Sequence, residues 1–287
     1  MSEDARHIGR KQVAIDIKGR VTRSSLYAGA RGRYHSMRRR AAALSMRLMV
    51  YRNRLGRRLV LEVTYGGLGD HLFYSHLPRI AKESGSYDHV YISNRSVFRN
   101  EEIRGLVWEL NPYIDGFIDE PGTFLLMKEI GQGRNLLDEN MLFHLLDDGK
   151  RIHEPEIYLK PSIRQELTDK ILYDPNYASN AGDLIRPEMV EDFFARNSLR
   201  VDMQMNLLDK HVAISRFGCW LSASSLREFC DIIYSCNHVY CLASGTATLS
   251  AALGKAATVF YHSGVKRDFL HSRSNEYIRL DSDDPRL

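Results

Sequence analysis

In the first half of the chain, short apolar runs alternate with longer amphipathic stretches. The apolar runs at residues 58–65, 89–93 and 114–118 predict strands, and the stretches at 71–84 and 101–110 predict helices. A strand, a helix and a further strand in this order form a βαβ unit, which places its strands parallel in one sheet. We therefore expect a parallel α/β domain over residues 58–150.

The second half of the chain repeats this alternation. Predicted strands lie at 170–173, 211–215, 238–242 and 256–261, and predicted helices lie at 187–196, 225–236 and 244–253. Turn-forming residues at 147–150, followed by Pro155 and Pro161, separate the two halves. We expect a second Rossmann-like domain over 151–287, so that the fold class is α/β with two such domains facing a cleft.

Residues 34–56 have a different pattern, because their apolar positions recur at intervals of three and four. These positions are Ala41, Leu44, Leu48, Tyr51 and Leu55, with arginines between them. The spacing predicts a short basic amphipathic helix. Such a helix fits an interface with anionic lipid headgroups, and it fits equally well a solvated helix that packs on the body. Transit peptides of the mitochondrial type are also rich in arginine and poor in acids.

The charge of the chain separates a basic head from an acidic body. Residues 1–58 contain sixteen Lys and Arg against three acids, a sum of +13, while the rest contains 24 against 33, a sum of −9. A nucleic-acid enzyme usually spreads positive charge over its body, so we expect no nucleic-acid partner. We treat residues 1–57 as a basic extension that fits an anionic surface.

The overall composition is that of a globular protein, with 44% hydrophobic and 26% charged residues. No apolar stretch approaches the ~18–20 residues of a membrane span, and no long apolar region follows the basic N-terminus as in a secretory signal. The four cysteines, at 219, 230, 236 and 241, form no C-x-x-C pair. We therefore expect reduced thiols in a cytoplasmic protein and no metal site.

The first candidate site is the glycine turn Gly66-Gly67-Leu68-Gly69-Asp70, which follows the first strand. Leu72 stands where a dinucleotide fingerprint requires its third glycine, and the Gly-Lys-Ser/Thr of a Walker A loop is missing. In open α/β sheets, ligands bind at the carboxyl edge where this turn lies. Asp70 either faces a ligand there or caps the following helix, and the spacing leaves both readings open. His71 is a cleft or packing residue.

The second candidate site is the run of small residues at 241–255, which opens the helix after a predicted strand. Free amides at the start of a helix favour a phosphate, and Ser244, Thr246 and Thr248 add hydroxyl donors. An ordinary capped turn between strand and helix has the same composition. Asn176 ends the first strand of the second half, where it either lines the cleft or belongs to a proline turn.

The two motifs together resemble the GT-B glycosyltransferases of bacterial envelope synthesis. They are most similar to the ADP-heptose–lipopolysaccharide heptosyltransferase family (glycosyltransferase family 9-like), and Ser-Gly-Thr-Ala-Thr-Leu at 244–249 also resembles lipid-A-disaccharide synthase. The resemblance covers residues 58–280 and is specific only at the two motifs. Ala243 and Thr248 depart from it, because the family has an acid and a His at these positions.

The resemblance implies a role for each motif. Asp70 matches the carboxylate that is taken as the base activating the acceptor hydroxyl. Ser244, Gly245 and Thr246 match the turn that contacts the nucleotide diphosphate. The predicted substrate-binding residues are Gly67, Gly69, His71, Asn176, Ser244, Gly245, Thr246 and Thr248.

The resemblance further implies a metal-independent glycosyltransferase with no cofactor beyond its nucleotide-sugar donor. Its acceptor would be a glycan or glycolipid of lipopolysaccharide or capsule. It would work in the cytoplasm, peripherally on the inner membrane, through the basic segment 34–57. Three alternatives stay open: a nucleotide-sugar epimerase of GT-B shape, a catalytically degenerate GT-B module that binds glycans, and a membrane- or nucleic-acid-binding protein driven by the head.

Overall fold

The computed structural model describes residues 40–125, 135–151, 153–177, 184–206, 212–214, 218–264 and 270–280. The chain divides into two compact units, Met1–Met49 and Val50–Leu287. Of the basic extension, residues 1–39 lie outside the described part. The boundary predicted near residue 150 lies within the second unit, between its two sheets.

Helix α1 comprises residues 40–55 and confirms a helix within the predicted segment 34–56. It is followed at once by the first strand, so the basic head leads directly into the body. Among the described helices, none has both the length and the apolar character needed to cross a bilayer.

The first sheet has three parallel strands in the order β1 (Arg58–Leu61), β2 (His89–Ser93) and β3 (Gly116–Ile118). Thr123 adds a parallel bridge to Leu61 at the end of β1. The three strands confirm the predicted parallel sheet of the first half, although β1 and β3 are shorter than the apolar runs that predict them.

The helix predicted over 71–84 is two helices, α2 (Leu68–Leu72) and α3 (Leu77–Glu83). Residues 73–76 form turns between them, and Pro78 lies in the first turn of α3. Proline has no N–H to donate to the carbonyl four residues earlier, so the hydrogen-bond ladder is interrupted before it. As a result, Asp70 sits in a single short helical turn.

The other helical predictions of the first half are met in part. Residues Arg104–Glu109 form a π-helix inside the predicted helix at 101–110. The sequence also predicts helical or mixed structure at 135–146, where α4 comprises Leu136–Phe143. It predicts the same for 124–129, most of which lies outside the described residues.

The second sheet has six parallel strands in the order β6-β5-β4-β7-β8-β9. These strands are β4 (Ile171–Asp174), β5 (Met203–Met205), β6 (Cys219–Leu221), β7 (His238–Leu242), β8 (Ala257–Tyr261) and β9 (Glu276–Arg279). The helices of this half are α5 (Pro187–Arg196), α6 (Leu226–Ser235) and α7 (Gly245–Ala252). This is the strand order of a doubly wound fold. The chain adds strands to one side of β4 and then, from β7 onward, to its other side, and ligands bind in the crevice at this switch point.

The strand predicted over 211–215 is wrong for residues 212–214, the part of it that the structure describes. The buried Gln204 side chain donates to the Ile214 carbonyl and accepts from the Ile214 amide, at 2.8 and 3.1 Å. The Gln204 side chain thus satisfies the backbone N–H and C=O of Ile214, which in a strand would bond to a neighbouring strand. The strand in this part of the chain is β5, which contains Gln204 and precedes the predicted position.

Alternating side chains of the second sheet enter two hydrophobic clusters. On β4, Leu172 packs into the larger cluster, which also includes residues of the first sheet, and Tyr173 packs into the smaller one. On β7, Val239 and Tyr240 divide in the same way. Both faces are therefore covered, as expected for a parallel sheet.

Candidate active site

Asp70 caps its own helix. Gly67 is the N-cap residue of α2, with extended dihedral angles, and its amide donates to Asp70 Oδ2 at 3.0 Å. A Cβ atom on Gly67 would lie 2.8 Å from that oxygen, so a larger residue there would push the Asp70 carboxylate aside. Among the described residues, hydrogen bonds engage only Oδ2, which leaves Oδ1 as the oxygen that can serve chemistry.

The surroundings of Asp70 favour its protonated form. Burial raises the pKa of the carboxyl, and the Gly67 amide and the positive charge of Arg99 act against that rise. Arg99 is exposed, and its own amide is fixed by a 2.9 Å hydrogen bond to the Gly66 carbonyl. A carboxylate with a raised pKa is a stronger base than an exposed one.

Helix α7 opens the second motif. Ser244 is its N-cap residue, and the Ser244 hydroxyl accepts from the Thr246 amide at 3.4 Å. Ser244 and Gly245 are half-buried, whereas Thr246 and Thr248 are buried. The accessible part of this turn is therefore its backbone and the Ser244 side chain.

Asp174, at the end of β4, is a buried carboxylate that holds this second turn. The Thr246 hydroxyl donates to Asp174 Oδ2, and the side-chain amide of Asn176 donates to Oδ1. Burial raises the pKa of Asp174, while the hydrogen bonds from Thr246 and Asn176 lower it. Asp174 and Thr246 thus link β4 to α7 at the point where the strand order reverses.

The two motifs meet through their glycines. A Cβ atom built on Gly69 would lie 3.1 Å from Gly245 Cα and 3.5 Å from Thr248 Oγ1. A Cβ atom built on Gly245 would lie 3.3 Å from the Gly69 nitrogen. The N-termini of α2 and α7 are therefore in backbone contact, which brings the turn of Asp70 beside the turn of Ser244.

His71 supports this arrangement from inside the protein. Its Nδ1 accepts from the indole N–H of Trp108 at 2.8 Å, and its Nε2 donates to the Val97 carbonyl at 2.9 Å. The side chain is fully buried and stacks on Phe98. Both ring nitrogens are thus occupied within the protein, and the predicted part of His71 in binding a substrate stays a prediction.

Asn176 is likewise placed behind the site. It is buried, and its side-chain nitrogen also donates to the Met205 carbonyl at 3.2 Å. Its side-chain amide therefore holds Asp174 and β5, and its predicted role in substrate binding stays a prediction. Gly69 lies against Gly245 and Thr248, and Gly67 is bonded to Asp70. Contacts of these residues and of Ser244 with a substrate stay predictions.

Two residues near the site were missed by reasoning from the sequence. Asp174 ends a predicted strand immediately before Pro175, and this position at the carboxyl edge was a usable signal. Arg99 lies in a loop after β2 with no motif around it, and only the structure places it near Asp70.

Comparisons of sequence find no counterpart: no family model and no curated protein matches the chain. Comparison of structure finds similar folds. A glycosyl transferase family 9 protein from Veillonella parvula DSM 2008 matches with a TM-score of 0.52 and 14% identity, over 78% of this chain and 85% of that one. E. coli ADP-heptose LPS heptosyltransferase II matches with a TM-score of 0.56 and 13% identity, over 78% and 91%.

A third similar structure is the dodecameric iron-containing heptosyltransferase TibC, known from enterotoxigenic E. coli, in complex with ADP-D-β-D-heptose. It matches with a TM-score of 0.54 and 11% identity, over 76% of this chain and 61% of that chain. At such identities the comparisons establish the fold. They confirm the predicted resemblance to these glycosyltransferases at that level, with an α/β architecture and parallel sheets.

Proposed function

We propose that the protein is a glycosyltransferase that moves a sugar from a nucleotide-sugar donor to a bacterial envelope glycan. The acceptor in this proposal is a glycan or glycolipid of lipopolysaccharide or capsule, at the cytoplasmic face of the inner membrane. One observation carries the proposal: the carboxylate turn of the first sheet touches the small-residue turn of the second sheet, through Gly69 and Gly245.

The fold comparisons favour the same class of reaction. The structures with similar folds are glycosyltransferases by name, and one of them was solved with a nucleotide-sugar. A fold alone hosts many functions, so the argument for this chain rests on its own site.

Asp70 supplies the base in this proposal. Its Oδ1 would take the proton of the acceptor hydroxyl as that oxygen attacks the anomeric carbon of the donor sugar. The bond from that carbon to the diphosphate oxygen breaks in the same step, and negative charge develops on the leaving diphosphate. The raised pKa of Asp70 makes its carboxylate a stronger base than an exposed one.

The start of α7 would stabilise the leaving group. Its first backbone amides and the Ser244 hydroxyl are donors at the positive end of a helix dipole, which favours a diphosphate without a metal ion. The Thr246 hydroxyl donates its hydrogen bond to Asp174, so Thr246 positions the turn rather than donating to the phosphate.

Nucleotide binding is the first test. The full chain is heated with each of a panel of nucleoside diphosphates and nucleotide-sugars, and its unfolding temperature is recorded. A ligand at a hundred times its dissociation constant adds about 2.7 kcal/mol of stability, which is easily measured. We expect one nucleotide to stabilise the protein and Ser244→Ala to weaken that effect, with Thr168→Ala as a distant hydroxyl control.

The chemical step is tested with Asp70→Asn. We expect nucleotide binding to be retained and transfer to an envelope-glycan acceptor to fall by about 10²–10⁴-fold. Asp169→Asn, at an exposed position on the surface, is the matched control and should leave transfer unchanged. Transfer should also continue in the presence of a chelator.

The outcomes separate the alternatives. Turnover of the donor sugar without any acceptor would favour the epimerase. Glycan binding that is indifferent to Asp70→Asn, with no nucleotide effect, would favour the degenerate binding module and overturn the transferase.

A further inference from the structure

Helix α1 carries four large apolar side chains that face solvent. Leu44, Leu48, Tyr51 and Leu55 are exposed by 60%, 61%, 58% and 87%. Their spacings of four, three and four residues place them in a stripe about 60° wide on a helix with ~3.6 residues per turn. A continuous exposed apolar stripe marks an interaction surface rather than an ordinary solvated helix.

The apolar stripe is not the buried side of the part of α1 that belongs to the second unit. In that part, the partly or fully buried positions are Val50, Asn53 and Arg54, which lie outside the stripe. Val50 is only 2% exposed, and near the end of the helix the Arg54 guanidinium lies 5.3 Å from the centre of the Tyr87 ring. The stripe is therefore an additional apolar face left for a partner.

Charge identifies the kind of partner. Arg40 and Arg47 flank the stripe on one side and Arg52 flanks it on the other, and all three are exposed. None of the three guanidinium groups forms an ion pair or hydrogen bond with another described residue. The sequence also has no Asp or Glu between Asp16 and Glu62, so no acid of this segment neutralises them.

We infer that α1 docks the protein on a lipid bilayer that contains anionic phospholipid. The helix lies in the plane of the interface, with its four apolar side chains at the level of the first acyl carbons and its arginines at the lipid phosphates. A second copy of this chain is a poorer occupant, because two such stripes face to face would bring unneutralised arginines together.

This docking does not rest on the proposed function, although it gives that function a location. An enzyme that glycosylates a lipid-linked acceptor meets its substrate at such a surface. The experiment below uses no nucleotide and no glycan, so docking stands if the transferase proposal falls, and the reverse also holds.

The test is flotation of the full chain with vesicles. One set of vesicles is phosphatidylcholine alone, and the other is phosphatidylcholine mixed with phosphatidylglycerol. We expect at least ~10-fold stronger binding to the anionic set, decreasing as salt is raised. The double variant Leu44→Ser/Leu48→Ser and the double variant Arg47→Gln/Arg52→Gln should each lose most of this binding, because both parts of the surface are needed.

The matched control variants carry the same types of substitution at positions outside α1. Ile163→Ser/Leu110→Ser removes two other exposed apolar side chains, and Arg196→Gln/Arg227→Gln removes two other exposed charges. Both should float as the unchanged protein does. Equal binding to the two sets of vesicles would overturn the inference, and so would full binding by the Leu44→Ser/Leu48→Ser variant, since charge alone would then explain the attachment.

Discussion

The indole N–H of Trp108 donates to Nδ1 of His71 across 2.8 Å in the interior of the larger compact unit. Because an indole can only donate, Nδ1 is unprotonated, and the proton of this neutral ring lies on Nε2, which donates to the Val97 carbonyl. One histidine thereby ties the helix of Asp70 to the π-helix of Trp108 and to the loop that carries Arg99.

Loss of the Trp108 indole should destabilise the fold. We expect Trp108→Phe to lower the free energy of unfolding by about 2–4 kcal/mol, because it leaves His71 Nδ1 buried without a donor and opens a cavity. Urea unfolding measures this change. Trp220→Phe, at a side chain that is 51% exposed, is the matched control and should stay within about 0.5 kcal/mol of the unchanged protein.

Three buried histidines should make the protein sensitive to acid. Burial lowers the pKa of His71 and His144 to about 4 and that of His76 to about 3. Between these values and the ordinary pKa of about 6.5, the unfolded chain binds more protons than the folded one. The contribution of these histidines to the free energy of unfolding is thus fully present above about pH 6.5. It decreases as the pH falls towards 4, by up to about 1.4 kcal/mol per pH unit for each histidine.

The contribution of one histidine is isolated by His76→Leu. The raised pKa values of Asp70 and Asp174 oppose the histidines, because those carboxyl groups retain protons in the folded state. Comparing slopes between variant and parent removes this background. We expect a shallower slope of unfolding free energy against pH for His76→Leu, and identical slopes would contradict the assignment.

Local chemistry made much of the fold predictable. Strand β7 and helix α5 have the bounds expected from the sequence, since a buried apolar run and an N-terminal Pro187 define them without help from distant residues. The break between α2 and α3 could also have been predicted, because Pro78 favours the first turn of a helix over its interior. Strand β5 was not, because its buried Gln204 reads as a polar loop residue until its partner Ile214 is known.

The candidate site also has features that the local sequence predicts and features that depend on distant residues. The turn of Asp70 and the turn of Ser244 were each recognisable from glycine, small residues and a preceding strand. Their contact was not, since Gly69 and Gly245 are far apart in the chain and meet only when the two sheets pack. The buried roles of His71 and Asn176 likewise depend on partners from other segments, Trp108 and Met205.

The glycine contact itself should not tolerate a methyl group. In Gly69→Ala the new Cβ atom would press on Gly245 Cα, which as backbone cannot move aside like a flexible side chain. We expect a loss of about 1–3 kcal/mol in unfolding free energy. Gly105→Ala is the control, because its Cβ would meet only Glu109 Oε2 at 3.8 Å.

A double variant distinguishes crowding at one contact from two separate effects. Gly245→Ala alone should cost a similar amount to Gly69→Ala, because both methyl groups enter the same gap. The double variant should therefore cost clearly more or clearly less than the two single changes combined. Simple additivity in urea unfolding would mean that the two turns are not coupled through this contact.

The hydrogen bond from Thr246 to Asp174 should be strongest where the carboxyl is ionised. Thr246→Val keeps the shape of the side chain but removes the donor, leaving the buried Asp174 to Asn176 alone. Because the Thr246 hydroxyl lowers the pKa of Asp174, its loss raises that pKa further. We expect a cost of about 2–3 kcal/mol at pH 7, since the bond is made to a charged group.

The dependence of this loss of unfolding free energy on pH shows whether Asp174 is charged in the folded protein. As the pH falls through the raised pKa of Asp174, the carboxyl becomes neutral in the folded protein and the missing donor matters less. The difference between Thr246→Val and the parent should therefore shrink on acidification, whereas Thr246→Ser, which keeps the hydroxyl, should show little dependence on pH. A cost for Thr246→Val that is the same at every pH would mean that Asp174 is neutral throughout, and that the start of α7 faces no buried negative charge.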